Sequence, residues 1–233
     1  MSAWTVIKPW AAVYADPIRV EAWEPVEVGR ADDDAPGWRW CTDPRGKEGW
    51  MPHAWVDESG CARRGYDARE LTVAVDDLLT ALEEHEGWRW CQARDGQTGW
   101  VPAAHLATTA MVELCDRWLE SWTGGESERL LSFFAEDATY RDPAHPGGLQ
   151  GHAELGPYFS ALLQHNPDWT WRRVEFIPTG TGFTLKWRAT IPVGESVLHE
   201  EGLDIVEVRD GKITRNEVYF DRAALLRLMR GAG

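Results

Sequence analysis

Residues 37–56 read GWRWCTDPRGKEGWMPHAWV, and residues 87–106 read GWRWCQARDGQTGWVPAAHL. Laid over each other without a gap, the two stretches agree at ten of twenty positions, among them Gly37/Gly87, Trp38/Trp88, Trp40/Trp90, Cys41/Cys91, Trp50/Trp100 and Pro52/Pro102. Chance does not repeat such a group at a fixed offset, and an internal repeat sets the domain count before any other feature is read. Nothing in 110–233 repeats it. The expected organisation is a first unit over 1–58, a second over 59–108, and a larger, different unit over 109–233.

Around the repeated stretch, WTVI (4–7), PIRV (17–20) and PVEVG (25–29) are short apolar runs separated by Pro, Gly and Asp turns. That punctuation predicts small all-β barrels. ELTVAVDDLLTALE (70–83) has a helical look, but PIRVEAWEPVEVG, its counterpart in the first copy, cannot be helical throughout, so strand is predicted in both. Units of this size have little room for a core. Ten of the fifteen tryptophans precede residue 108, and their large area compensates. Some must lie near the surface, and an exposed aromatic shelf suits a proline-rich peptide.

The formal charge of −14 disfavours a nucleic-acid backbone or an anionic membrane surface as partner. Of the four cysteines, Cys41 and Cys91 hold equivalent places in the repeat and read as one small hydrophobe used twice. No Cys/His spacing suggests a metal site, and no cofactor is expected. The opening MSAWTVIKPWAAVY lacks the basic lead and apolar core of a secretory signal, and no run approaches eighteen apolar residues; the cytoplasm is the expected location.

The second copy resembles a Src-homology-3 domain. Tyr66-Asp67-Ala68 matches the end of the opening signature of that family, Gly87-Trp88-x-Trp90 its double-aromatic strand, and Gly99-Trp100-Val101-Pro102 the step before its last strand. The resemblance implies a polyproline groove that keeps Tyr66, Trp88 and Pro102, with Arg64 and His105 where tyrosines are expected. The first copy would contribute Trp38, Pro52 and Trp55. A structural or subunit-contact role is the alternative.

In the third unit, Met111, Leu114, Cys115, Trp118, Leu119 and Trp122 form one apolar helical stripe. A second helix is predicted from Glu126 through Phe134, and a third from Gly151 to a stop at Asn166-Pro167. WTWRRVEFI (169–177), FTLKWRATI (183–191), LHEEGLDIVEV (198–208) and KITRNEVYF (212–220) predict a four-stranded meander, with Asp210-Gly211 as a two-residue turn and a short closing helix over 223–230. Three helices must then cover the concave face of a curved antiparallel sheet, an α+β cone whose mouth is an apolar pocket.

This order resembles the nuclear-transport-factor-2-like superfamily, and within it the SnoaL-like polyketide cyclase and steroid isomerase branch, on FAEDATYRDP (134–143), Gly151 and VRDGKI (208–213). The resemblance places Asp142 where the isomerases carry a proton-shuttling aspartate, and Asp204 where an acid donates to the developing enolate. Asp142 before Pro143 reads equally as a turn organiser. A two-residue turn at 210–211 pairs Arg209 with Lys212 and sets Asp204 opposite Glu217, with Arg215 and Tyr219 on the same face. Trp118 occupies the place of the isomerases' oxyanion-hole tyrosine and reads as a pocket wall. Tyr140 and Tyr219 are replacement donors, and His199 is a candidate base at the rim. Phe183 and Trp187 alternate along a strand as packing residues, and members of the superfamily often form homodimers through the outer face of the sheet. Two functions stay open. One is a binding protein for a small apolar molecule with barrels that contact proteins; the other is a cofactor-independent isomerase, cyclase or hydrolase of an apolar carbonyl or polycyclic substrate.

Overall fold

The computed structural model describes residues 3–231 and divides after Thr109 into two compact units. The first holds ten strands: β1 (Ala3–Val6), β2 (Arg19–Val20), β3 (Glu27–Ala31), β4 (Trp38–Thr42), β5 (Glu48–Pro52), β6 (Tyr66–Asp67), β7 (Leu78–His85), β8 (Trp88–Ala93), β9 (Thr98–Pro102) and β10 (Leu106–Thr108). The repeated stretches fold alike. Trp38 faces Pro52 and Trp40 faces Trp50 across β4 and β5, as Trp88 faces Pro102 and Trp90 faces Trp100 across β8 and β9. A single 3-10 turn follows each pair, at His53–Trp55 and Ala103–His105. Cys41 and Cys91 are fully buried, and burial pushes both thiols up to about 11, so each packs as a small apolar group.

The strands cross between the copies. β1 lies between β10 and β7, with Trp4 opposite both Thr108 and Leu79, and so completes the sheet of the second copy. In the other direction β6 pairs with β2, and the Tyr66 hydroxyl donates to the Trp50 carbonyl at 2.9 Å. Two cores result. Ile18, Val20, Trp38, Cys41, Met51 and Tyr66 belong to one, and Val6, Leu71, Leu79, Cys91, Val101 and Leu106 to the other. Trp100, from the second copy, is buried in the first core with its ring against Trp38, Trp55 and Tyr66. Trp100→Ala should therefore destabilise this unit by about 3–5 kcal/mol, the range for a large aromatic emptied from a core. Guanidinium unfolding would show it, and a loss below about 1 kcal/mol would mean that Trp100 does not join the copies.

The second unit runs α1 (Thr109–Glu120), α2 (Ser127–Leu131), β11 (Phe134–Asp142), β12 (His145–Gln150), α3 (Gly151–His165), β13 (Thr170–Pro178), β14 (Gly182–Val193), β15 (Ser196–Arg209), β16 (Lys212–Tyr219) and α4 (Ala223–Gly231). One curved sheet has the order β12-β11-β16-β15-β14-β13, antiparallel throughout except that β11 joins β16 in parallel. It has two strands more than the expected meander. The second helix stops at Leu131, and Phe134 opens β11, where Ala138, Tyr140 and Asp142 alternate inward with the period of a strand. β12 carries Pro146 and two glycines, and it is tolerated because it is an edge. Trp118 of α1 packs on Phe183 of β14, and Trp122 packs on Tyr140 of β11 and Phe159 of α3.

Asp210 and Gly211 both adopt positive φ, 54° and 75°, as a two-residue hairpin turn of this kind requires. Arg209 pairs with Lys212 as expected, but the register shifts between Glu207 and Val208. Val208 faces Ile213 whereas Glu207 faces Arg215, so Thr214 is an extra residue, a β-bulge. Asp204 therefore faces Val218 and not Glu217. Phe183 and Trp187 are buried on the inner face at 0 % and 2 % exposure, away from any outer-face contact. The outer face nearby carries Lys186, Arg188 and Glu201 in ion pairs.

Candidate active site

A cavity of about 220 Å³ opens in the second unit, with Asp142 and Asp204 both in its lining. The walls are aromatic: Trp122 from the turn after α1, Tyr140 from β11, Tyr158 from α3, Trp171 from β13 and Trp187 from β14. Among the described residues no group of His, Cys, Asp and Glu is placed to hold a metal ion, and no helix is long and apolar enough to cross a membrane.

Asp142 ends β11 at 8 % exposure. Its Oδ1 accepts the backbone N–H groups of Ala144 and His145, both at 2.8 Å, and this turns the chain into β12. Its Oδ2 accepts the Tyr140 hydroxyl at 3.2 Å and the Tyr158 hydroxyl in a short bond. The His145 ring lies over Tyr158 and within 3.7 Å of Oδ1. Thus Asp142 organises a turn and reaches the cavity at once, and both of its oxygens carry two donors. Burial, with the neighbouring Asp142, raises the Tyr140 and Tyr158 hydroxyls above the usual phenol range, so both are donors at neutral pH.

Asp204 is the more exceptional group. It is 4 % exposed in the middle of β15, with one donor on each oxygen: Trp187 Nε1 at 2.8 Å on Oδ1 and Asn216 Nδ2 at 3.1 Å on Oδ2. Burial pushes its carboxyl up to about 7, against which the two hydrogen bonds act in part. The Trp187 indole reaches it across Gly202. Trp187 is directly opposite Gly202 in the β14–β15 ladder, and a Cβ there would lie 2.3 Å from the ring. Asp204 is two residues along the same face, so the ring crosses the notch and delivers its N–H diagonally.

The remaining expected residues fall elsewhere. The bulge turns Glu217, Arg215 and Tyr219 to the outer face. There the Tyr219 hydroxyl, Arg215 and Arg141 hold the Glu217 carboxyl down at about 2. His199 is exposed near the far end of β15, its Nδ1 3.4 Å from the Thr190 hydroxyl, and does not line the cavity. Trp118 is fully buried and does not line the cavity, whereas Trp122, just beyond the end of α1, does. Tyr158, an aromatic within the third helix, and Asn216, which an unbroken ladder would put on the other face, join the two carboxyls without a signal in the sequence.

In the first unit Trp38, Pro52 and Tyr66 are buried and Trp55, Trp88 and Pro102 half-buried. Trp38 and Trp88, the equivalent positions, meet at 6.4 Å between ring centres, and Trp55 covers Tyr66 and His85. Trp38, Tyr66 and Trp88 also line a cavity of about 180 Å³ together with Trp10, Trp50 and Trp100.

Among curated proteins none matches this chain. Solved structures similar to the chain include TerC co-crystallised with polyporic acid (19% identity, 52% of this chain and 99% of that one, TM-score 0.46). A protein of ketosteroid isomerase-like fold from Catenulispora acidiphila DSM 44928, in complex with trimethylamine, is 18% identical over 51% of this chain and 92% of its own, with a TM-score of 0.46. A putative SnoaL-like polyketide cyclase from Jannaschia sp. CCS1 is 13% identical over 52% of this chain and 92% of its own, with a TM-score of 0.45. The variant SH3 domain model matches residues 61–108, and the SnoaL-like domain model matches residues 115–216.

Proposed function

We propose that the SnoaL-like domain takes a flat, largely apolar carbonyl compound into the aromatic cavity and moves a proton on it, as a cofactor-independent isomerase or cyclase. One observation carries this reading: Asp204 is a buried carboxyl in an aromatic wall, with one donor per oxygen and its protonation balanced near neutrality. A general acid–base works best in that condition. The expected roles are thereby exchanged. Asp142 has two donors on each oxygen, whereas Asp204 retains capacity on both of its oxygens. In the forward step the Asp204 carboxylate takes a proton from the carbon next to the ligand carbonyl and becomes the acid, leaving an enolate. The Tyr158 hydroxyl, turned from Asp142 toward that oxygen, donates to the growing charge. Return of the proton from Asp204 to another carbon completes an isomerisation.

Incubation with 2-tetralone in D₂O tests the step without knowledge of the natural substrate. The chain should speed exchange of the ketone's α-protons, read by NMR, and Asp204→Asn should remove about 100-fold of that rate. Tetralone that binds without exchange would favour a pocket that only binds, the reading to which the saturation of Asp142 also points.

For the first unit we propose two barrels of like topology whose aromatic faces are used to hold each other. The meeting of Trp38 with Trp88 supports this over a pair of open polyproline grooves. Contacts with other proteins would use surface outside those faces.

A further inference from the structure

Arg222 stands between Phe220 and Leu225, on the short link from β16 into α4, and all three line the cavity of the second unit. Its side chain is half-buried, and among the described residues no carboxylate lies within ion-pairing distance of its guanidinium. The acids that line the cavity with it, and the one that precedes it in the chain, are otherwise engaged. Asp221 accepts the Ala223 N–H at 2.8 Å at the start of α4, Asp142 carries four donors, and Asp204 is held by Trp187 and Asn216. The positive charge is felt inside, since it draws down the Tyr158 hydroxyl against the upward pull of burial and Asp142. A guanidinium partly withdrawn from water into an aromatic wall costs free energy unless an anion meets it, and its planar fork suits two oxygens at once.

We propose that the cavity takes its ligand as an oxyanion, a planar aromatic or polycyclic acid whose carboxylate pairs with Arg222 while its rings fill the space between Trp122, Trp171 and Trp187. This rests on the cavity reading above and adds the charge of the ligand to it. The anion would sit by Arg222 and leave the carbon skeleton to the interior, where Asp204 is.

The test uses two probes of nearly equal shape, 2-naphthoate and the neutral 2-acetylnaphthalene, titrated by calorimetry into the full chain. The anion should bind at least about tenfold more tightly, the scale of a charge-assisted bidentate pair, and only its affinity should fall as salt is raised. Arg222→Gln should abolish the preference while leaving the ketone within about twofold, and Arg222→Lys should keep part of it. Equal or weaker binding of naphthoate by the parent chain would overturn the proposal and leave the cavity reading intact. So would a glutamine variant that weakens both probes alike. If neither probe binds, and Trp122→Ala changes nothing, the cavity reading falls and the proposal falls with it.

Discussion

At pH 8, Asp204→Asn should make the C-terminal unit more stable than the parent, and the advantage should vanish near pH 4. The folded carboxyl titrates near 7 and the ordinary value is 3.8. Between those values the native state holds a proton that the unfolded chain has released, so the parent loses stability as pH rises through that window. Above about pH 7 the native state must hold a buried charge. The whole effect is on the order of 4 kcal/mol, from about three pH units at 1.36 kcal/mol each. Asparagine carries no charge to bury, and its amide finds a partner ready. The Asn216 Oδ1 is buried without a hydrogen bond, and turning the Asn216 amide over presents it to the new N–H₂. Urea unfolding from pH 4 to 8 measures the slope, and carbon-13 labelling of aspartate carboxyls should show one signal titrating near 7. A parent chain whose stability is flat across that window would remove Asp204 from any acid–base role.

Gly202→Ala should strongly destabilise this unit. The added methyl would meet Trp187 Cζ2 at 2.3 Å, Cη2 at 2.6 Å and the Tyr219 carbonyl at 2.8 Å, and a sheet backbone cannot retreat. The indole would have to leave its buried place, and with it goes one of the two donors on Asp204. A loss of about 3 kcal/mol is expected, at the upper end for overpacking. The Asp204 carboxyl should then titrate above its present value, because one of the bonds that favour its charge is gone. An alanine variant with parental stability and an unmoved titration would show that the indole does not depend on the notch.

Asp142 was singled out by the family resemblance and by its place before Pro143, and Asp204 by the resemblance; both line the cavity. Their sharing of one cavity with aromatic walls follows from the cone read from helix stripes and strand alternation. What failed was a matter of single residues. Counting back from Asp210-Gly211 assumed an unbroken ladder, and Thr214 breaks it, so Glu217, Arg215 and Tyr219 moved to the other face while Asn216 came in. No propensity distinguishes a bulged threonine from a paired one. Trp118 and Trp122 share the predicted stripe, but the helix ends at Glu120 and Trp122 meets the cavity from the turn beyond it. In the first unit, spacing revealed the repeat but could not reveal which copy receives β1, since strand partners are chosen in three dimensions.

That exchange of strands governs how the protein can be made. During synthesis Trp4 leaves the ribosome well before Leu79 and Thr108, its two partners in the finished sheet. The copies therefore cannot mature one after the other as tandem modules usually do. β1 must wait as an unpaired edge until nearly the whole unit has emerged, a long-range closure that slows folding and invites pairing with a neighbouring nascent chain. A fragment cut between the copies would carry a strand it cannot use, and its companion would lack one it needs.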